Sequence, residues 1–550
     1  MRIPFPERIP IENAALFAAG LFVIQQLERT GLYFSIGCVI FLLVATFAFN
    51  TAGGLTRTSG VYVFFYSVLV VVIGLCYKAY LGEPADSNLH DPHTTIKVYV
   101  GGICGMLAAV LVSRRFSRRT GLVQDLMKDA DMYRASIGCM VVGVGGPLLL
   151  VMLGPSGARL RTAFTQLNQL IPLAIIIGVM HEIRQSGGKR SLNLPVALVA
   201  VYFFIVYGIF SFSKQGMLIP LYCWLVPVCA LRFRLSALQV GACLLATFAI
   251  FQYLVPYAQY GRDFTDRPTT EQRMAIATQL LEHPEETRQS YLEASAGSAG
   301  YYNTPQGFWD RLQFISVDDS LIEVTDQGHV FGLSPLTAAL LNAVPHVFWP
   351  DKPNLNYGNL YEHEIGGLSE EDTTTGISFS PTAEAYHMDE WVGVLVVAPL
   401  IWLVLFFAFD SLFGDLRASP WGLLVIALVS HVAPEGALNG VINLLTFGTE
   451  IFLFCAVLRP GWPRSSRPSF WDRIGAGLHG ACRSTTGWPA FQTSSRDSGC
   501  SKTGHWRKRC DCKFCERCGV SRSAARMTIL VWELMGCLLW VRAMERCGMV

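Results

Sequence analysis

Apolar residues in this chain gather into long blocks divided by short polar turns. A helix needs about 20 mostly apolar residues to cross the hydrocarbon core of a bilayer. Blocks meeting or approaching that length lie near 11–27, 31–49, 60–80, 95–113, 134–154, 164–181, 193–212, 214–231, 235–256, 388–411, 419–434 and 438–458. The pattern therefore predicts an all-α polytopic membrane protein of about 12 transmembrane helices. The first block is the one that either crosses or lies in the interface, because Gln25, Gln26, Glu28 and Arg29 crowd its end. It has no small-residue cleavage site behind it and leads straight into another block, so it is not read as a removable signal peptide.

One polar interval dwarfs the others. Residues 257–387 are rich in Tyr, Trp, Asp, Glu, Arg and Pro, and a loop of that size is usually functional. Short helices are expected in it over 270–282 and 334–343, the second being interfacial or re-entrant. No Cys lies between Cys243 and Cys455, so the loop carries no disulfide of its own. The chain thus divides into an N-terminal membrane bundle of about nine helices (1–256), a large extracytoplasmic loop (257–387), C-terminal membrane helices (388–458) and a tail (459–550).

Composition narrows the class further. Hydrophobic residues are 52% of the 550, charged residues 15%, and the mean hydropathy is +0.38. Soluble chains carry about 25% charged residues, so a soluble enzyme, a disordered scaffold and a free nucleic-acid binder are excluded. The net charge of +2 says little; where the charge sits says more. With the N-terminus inside, fifteen Lys and Arg, from Arg2 and Arg8 to Arg417, fall in the inside loops. The outside short loops hold six: Arg29, Lys78, Lys97, Arg159, Arg161 and Lys214. This bias predicts both termini in the cytoplasm of a bacterium, a multi-pass location in its cytoplasmic membrane, and the large loop outside.

The tail changes character from Arg459 onward, being basic and rich in Ser, Gly, Trp and Cys. Cys510, Cys512, Cys515 and Cys518, with His505 nearby, invite a metal reading, but they lack the two separated CxxC knuckles of a zinc ribbon and the final Cys-Pro of a ferredoxin run. A basic, poorly ordered tail without metal is the reading adopted. The apolar run Met527–Val541 is short for a span and reads as an interfacial helix.

Ordered Walker, GxGxxG, HExxH and GxSxG motifs are absent. Candidate chemistry lies at the outer rim instead. Arg159 and Arg161, between the fifth and sixth spans, and Lys214, at the turn between the seventh and eighth, stand outside against the charge bias. The guanidinium fork suits phosphate oxygens; ordinary exceptions to the bias and snorkelling are the alternatives. Arg262 and Arg267 open the large loop within Gly261-Arg262-Asp263-Phe264-Thr265-Asp266-Arg267-Pro268, as phosphate ligands or as local ion pairs. The acidic candidates for proton transfer are Asp318, Asp319, Asp351, Glu362, Glu364 and Glu384. Glu384 is favoured because it sits where the loop re-enters the membrane, beside Tyr386 and His387. Glu435, after His431, lies at an outer helix end where a charge needs a reason.

Several stretches, in order, resemble the O-antigen polymerase family, over roughly residues 130–458. They are Phe210-Ser211-Phe212-Ser213-Lys214-Gln215-Gly216, Asp310-Arg311-Leu312, Phe331-Gly332, and Val344-Pro345-His346-Val347-Phe348-Trp349-Pro350-Asp351-Lys352-Pro353. Gly376-Ile377-Ser378, Glu384-Ala385-Tyr386 and Gly393 follow. The chain departs from the family where a Gly commonly follows Glu-x-Tyr and Glu390 stands here, and where Lys214 replaces the common Arg. The resemblance implies metal-independent glycosyl transfer, without a cofactor, between polyprenyl-diphosphate-linked glycans at the membrane. Arg159, Arg161, Lys214 and Arg262 would then hold the diphosphate, with Arg267 beside them. Lys352, Tyr386, His387 and Glu435 would contact substrate, and Glu384 would be base or orienter. Membrane lipid and other polysaccharide-assembly proteins, such as a chain-length regulator, are the implied partners. An O-antigen ligase or a lipid-linked glycan flippase are the alternatives.

Overall fold

The computed structural model describes residues 2–446 apart from 119, 125–126, 128, 153–168, 264–269, 296–299, 305–308, 343–356 and 368–375. Met1–Leu453 forms one compact unit; the remainder, including the Cys-rich tail, lies outside the described residues. All regular structure among the described residues is helical.

The helices, in chain order, are α1 (Ile11–Leu27), α2 (Leu32–Ala52), α3 (Thr58–Leu81), α4 (Pro92–Phe116), α5 (Met132–Met152), α6 (Leu170–Gln185), α7 (Leu194–Ile209), α8 (Lys214–Ala230) and α9 (Ala237–Gly261). The large loop carries α10 (Thr270–Glu282), α11 (Pro284–Ser295), α12 (Ile315–Asp326), α13 (Ser334–Asn342) and α14 (Tyr357–Glu364). Then come α15 (Pro381–Val392), α16 (Ala398–Phe413), α17 (Pro420–Glu435) and α18 (Ala437–Thr446).

Six stretches among the described residues are long and apolar enough to cross a membrane: α2, α3, α4, Asp129–Leu149, α9 and Pro381–Ala418. Helices also form in the other predicted blocks, but α1, α7, α17 and α18 are 10–17 residues long, shorter than a perpendicular crossing requires. Many apolar side chains point away from the bundle, among them Leu198, Leu244, Leu245 and Leu400, each more than half exposed. A surface of this kind suits a lipid solvent.

Local signals start the helices where the sequence supplies them. Asp91, Asn193, Ser236, Ser380 and Ser419 accept hydrogen bonds from the first turns of α4, α7, α9, α15 and α17, satisfying amides that have no partner inside the helix. Pro92, Pro381 and Pro420 follow their caps at the position where proline loses no hydrogen bond. Aromatic residues fill the centre: Tyr62, Tyr66, Phe41, Tyr99, Trp402 and Phe406 are buried. Their polar ends are paired, Trp402 Nε1 donating to Tyr62 Oη at 3.1 Å and Tyr66 Oη lying 2.6 Å from Thr382 Oγ1.

The two ends of this core differ. At one end Arg57 donates to the carbonyls of Arg118 and Asp410, Arg114 to that of Thr51, and Arg417 pairs with Glu7 and Asp415. The loop helices α12 and α14 pack at the other end, against α15.

Candidate functional site

The element that organises the outer end is α15. Ser380 caps it, and every residue from Pro381 to Met388 is buried. Helical geometry then fails at Asp389 and at Glu390, whose φ is 44° and ψ −127°. The chain reverses there so tightly that a Cβ on Gly393 would collide with the Ala385 carbonyl oxygen. Gly393 is therefore required by the close approach of the two arms. The first arm is a short, wholly enclosed helix; the second continues into α16 as the apolar stretch.

Glu384, Tyr386 and His387 all lie on that enclosed arm, and each is held by a different element. Glu384, 1% exposed, accepts from Tyr361 Oη of α14 at 3.3 Å and from the backbone N–H of Leu438 in α18. Tyr386 Oη donates to Asp326 Oδ1 of α12 at 2.5 Å. His387 is fully buried; its Nδ1 lies 2.9 Å from Thr325 Oγ1, and its Nε2 lies 3.0 Å from Glu364 Oε2. Phe331 and Tyr361 flank the imidazole, with ring centroids 5.2 and 5.0 Å away.

A second cluster forms around Glu435 at the end of α17. His431 Nδ1 lies against its carboxylate, and its electrostatic neighbours include Lys214 and Arg311. Arg311 also donates to Gln259 Oε1 at 2.9 Å. Lys214 reaches this place because of the turn before α8. Ser213 accepts from Gly216 N at 3.1 Å, Phe212 adopts φ 47°, and a Cβ on Gly216 would collide with the Tyr207 carbonyl. The stretch Phe210–Gly216 is thus a tight turn that presents a cation. Ala437, at φ 48°, separates Glu435 from Leu438, the donor to Glu384, so the two clusters are joined by two residues of backbone. Non-glycine residues at positive φ cost about 1–3 kcal/mol each and persist only where the surroundings impose them.

The remaining acidic candidates divide by surroundings. Asp319 accepts from His90 N at 2.5 Å, Asp91 N at 3.2 Å and Thr95 Oγ1 at 2.7 Å. Asp318 accepts from Ser380 N at 2.9 Å and Tyr99 Oη at 2.8 Å. These neighbouring carboxylates fasten α12 to the starts of α4 and α15. Burial pushes Asp318 up to about 6, against the pull of the Ser380 and Tyr99 donors. Glu362 is 6% exposed, its Oε2 has no hydrogen-bond partner, and burial pushes it up to about 7. Lys78 is a pin: its Nζ is buried between Glu83 Oε2 at 3.0 Å, Ser87 Oγ at 2.6 Å and the ring of Tyr301.

The structure therefore gathers Glu384, Tyr386 and His387 in one place and puts Lys214 and Glu435 in the adjoining one. Arg159, Arg161, Arg267, Asp351 and Lys352 lie outside the described residues, as does Val344–Pro353; Arg262 is placed in the helix that continues α9, its side chain undescribed. Arg311 was legible only as part of Asp310-Arg311-Leu312, and nothing in the sequence marked it as a neighbour of Glu435. Thr325 and Asp326 carried no signal at all, because a helix two-thirds of the way along a loop gives no hint of which residues meet α15. Among the described residues no cluster of His, Cys, Asp and Glu has the makings of a metal site. No family model, curated protein or solved structure matches the chain.

Proposed function

We propose that the chain polymerises polyprenyl-diphosphate-linked oligosaccharide repeat units into a surface polysaccharide by glycosyl transfer at the outer face of a bacterial cytoplasmic membrane. The observation that carries this reading is convergence. Phe210–Gly216, Asp310–Leu312, Phe331–Gly332 and Glu384–Tyr386 are far apart in sequence, yet all supply residues to two adjoining clusters around the reversed arm of α15. In this reading about twelve helices cross, including the short ones, which pass tilted or locally thin the bilayer. The basic end with Arg57, Arg114 and Arg417 faces the cytoplasm, and the loop 257–387 faces outside.

Transfer breaks the bond between the anomeric carbon and the diphosphate oxygen of the donor. Cations stabilise the charge that grows on that leaving group. Lys214 takes this role at the rim, with Arg159, Arg161 and Arg262 as further candidates; Arg267 and Lys352 contact phosphate and glycan. Glu384, with both oxygens engaged and almost no exposure, orients the strand between α17 and α18; Tyr386 and His387 line the acceptor side. The deciding experiment compares membranes from the host with and without the gene. Loss of the gene should leave single-repeat lipid-linked units unextended, and restoring it should restore the ladder of chain lengths. Accumulation of complete, unattached polymer would make the chain a ligase. Failure to display single units outside would make it a flippase.

A further inference from the structure

His387 and Glu364 present a proton-counting problem. Thr325 Oγ1 lies 2.8 Å from the Leu321 carbonyl, which can only accept, so the hydroxyl hydrogen points there. The same oxygen faces His387 Nδ1 at 2.9 Å, and with its hydrogen committed it accepts from Nδ1–H. A neutral imidazole then has its lone pair on Nε2. That lone pair faces Glu364 Oε2 at 3.0 Å, off the line of an in-plane N–H···O bond. Two acceptors this close repel unless a proton is held by one of them. His387 is enclosed, whereas the Glu364 side chain is 29% exposed, so the pair has one buried member and one that opens outward.

We infer that Glu364 and His387 hold one proton between them and form the acid–base unit of this site, with Glu364 as the catalytic residue and His387 as its positioning residue. This rests on the glycosyl-transfer reading. As the acceptor hydroxyl oxygen bonds to the anomeric carbon of the donor, its O–H bond breaks and the proton passes to Glu364. The anomeric carbon–oxygen bond to the diphosphate breaks in the same transfer, and its electron pair leaves on the diphosphate. The proton then departs from the exposed edge of Glu364 to water. Burial raises Glu364 above the ordinary carboxylate range while His329 opposes the shift, which suits a base working near neutral pH. The other titratable groups on the elements packed round the pair are Asp326 and Glu323 on α12, His329 in the turn after it, Tyr357, Tyr361, Glu362 and His363 on α14, and Glu384 and Tyr386 on α15.

Two measurements on the full-length protein in membranes separate the pair from the reaction. The first is infrared difference spectroscopy across neutral pH without substrate. A titrating carboxylic band should vanish in Glu364→Gln, move in His387→Asn, which keeps a donor for Thr325 but removes Nε2, and persist in Glu384→Gln. A band unchanged in Glu364→Gln overturns the shared proton. The second uses the lipid-linked fraction from a host strain lacking the gene. Glu364→Gln should slow its extension about a hundredfold or more with KM little changed, His387→Asn should shift the acid limb of the pH profile, and Glu364→Asp should recover part of the rate. Extension by Glu364→Gln at the wild-type rate and pH profile overturns the catalytic role. A wild-type protein that shows the band but never extends these units sinks the glycosyl-transfer reading, and the catalytic half of the proposal with it, while the proton pair stands.

Discussion

At the scale of single residues, the enclosed arm of α15 explains why position along the sequence pointed to the right place without revealing the roles. Glu384, Tyr386 and His387 stood out because they fall where a polar loop meets an apolar block. Their partners could not be read, since Tyr361, Asp326, Thr325 and Leu438 come from three other helices. Asp318 has a measurable consequence. Its carboxyl is held above its unfolded value, so the folded protein binds more protons than the unfolded one between about pH 4 and 6. Stability therefore falls as pH rises through that window and levels off above it. Hydrogen exchange of α12 should be slower at pH 5 than at pH 7, by an effect on the order of 3 kcal/mol at most. Asp318→Asn, which keeps an acceptor for Ser380, should flatten this dependence; an unchanged slope would show that another group carries it. Lys214→Ala tests the rim cluster: removing one well-placed cation should cost about 3 kcal/mol in the transition state, roughly a hundredfold in chain extension, with protein level unchanged.

At the scale of elements, periodicity and length predicted helices well and their interruptions poorly. The first block, 11–27, coincides with α1, and the loop helices expected at 270–282 and 334–343 appear as Thr270–Glu282 and Ser334–Asn342. The block expected to begin at 388 conceals a reversal, because Pro381–Met388 is helical too and the break at Asp389–Glu390 depends on packing against the second arm. Wide π-helical turns at Ser67–Val72, Phe204–Ile209, Ile250–Leu254 and Gly393–Val397 were equally invisible; such turns are frequent at functional sites and leave no compositional trace. Glu390 gives a sharp test. It occupies a positive φ that favours glycine, at the place where the resembling family commonly has glycine. Glu390→Gly should relieve about 1–3 kcal/mol of backbone strain, offset by roughly 1 kcal/mol of added chain entropy. The net result expected is equal or higher thermal stability with activity retained. Gly393→Ala should do the opposite, since its methyl has no room beside the Ala385 carbonyl, and it should abolish accumulation or activity. A destabilised Glu390→Gly would mean that the glutamate side chain makes contacts worth more than the strain.

At the scale of the whole molecule, the charge asymmetry counted along the chain reappears as geometry. Arg57, Arg114 and Arg417 meet at one end of the core through Asp410, Thr51, Glu7 and Asp415, while Lys214, Arg311 and the α12–α14–α15 assembly occupy the other. Basic residues are retained on the cytoplasmic side of a membrane during insertion, so the first end is expected inside. The short helices α7, α17 and α18 make span counting by length alone ambiguous, and parity decides the orientation of everything after them. Reporter fusions resolve it. Fusions after Arg119, Arg190 and Arg234 should all report cytoplasm, and one near Tyr302 should report the outside. Tyr302 is a fair marker because it is buried with Tyr301, whose hydroxyl donates to the Ala85 carbonyl at 2.5 Å, tying the loop to the turn between α3 and α4. A cytoplasmic signal at Tyr302 together with an outside signal after Arg119 would invert the whole bundle. Lys214, Glu435 and the Glu364–His387 pair would then face the cytoplasm, where no outward-displayed lipid-linked glycan could reach them, and the polymerase reading would fall.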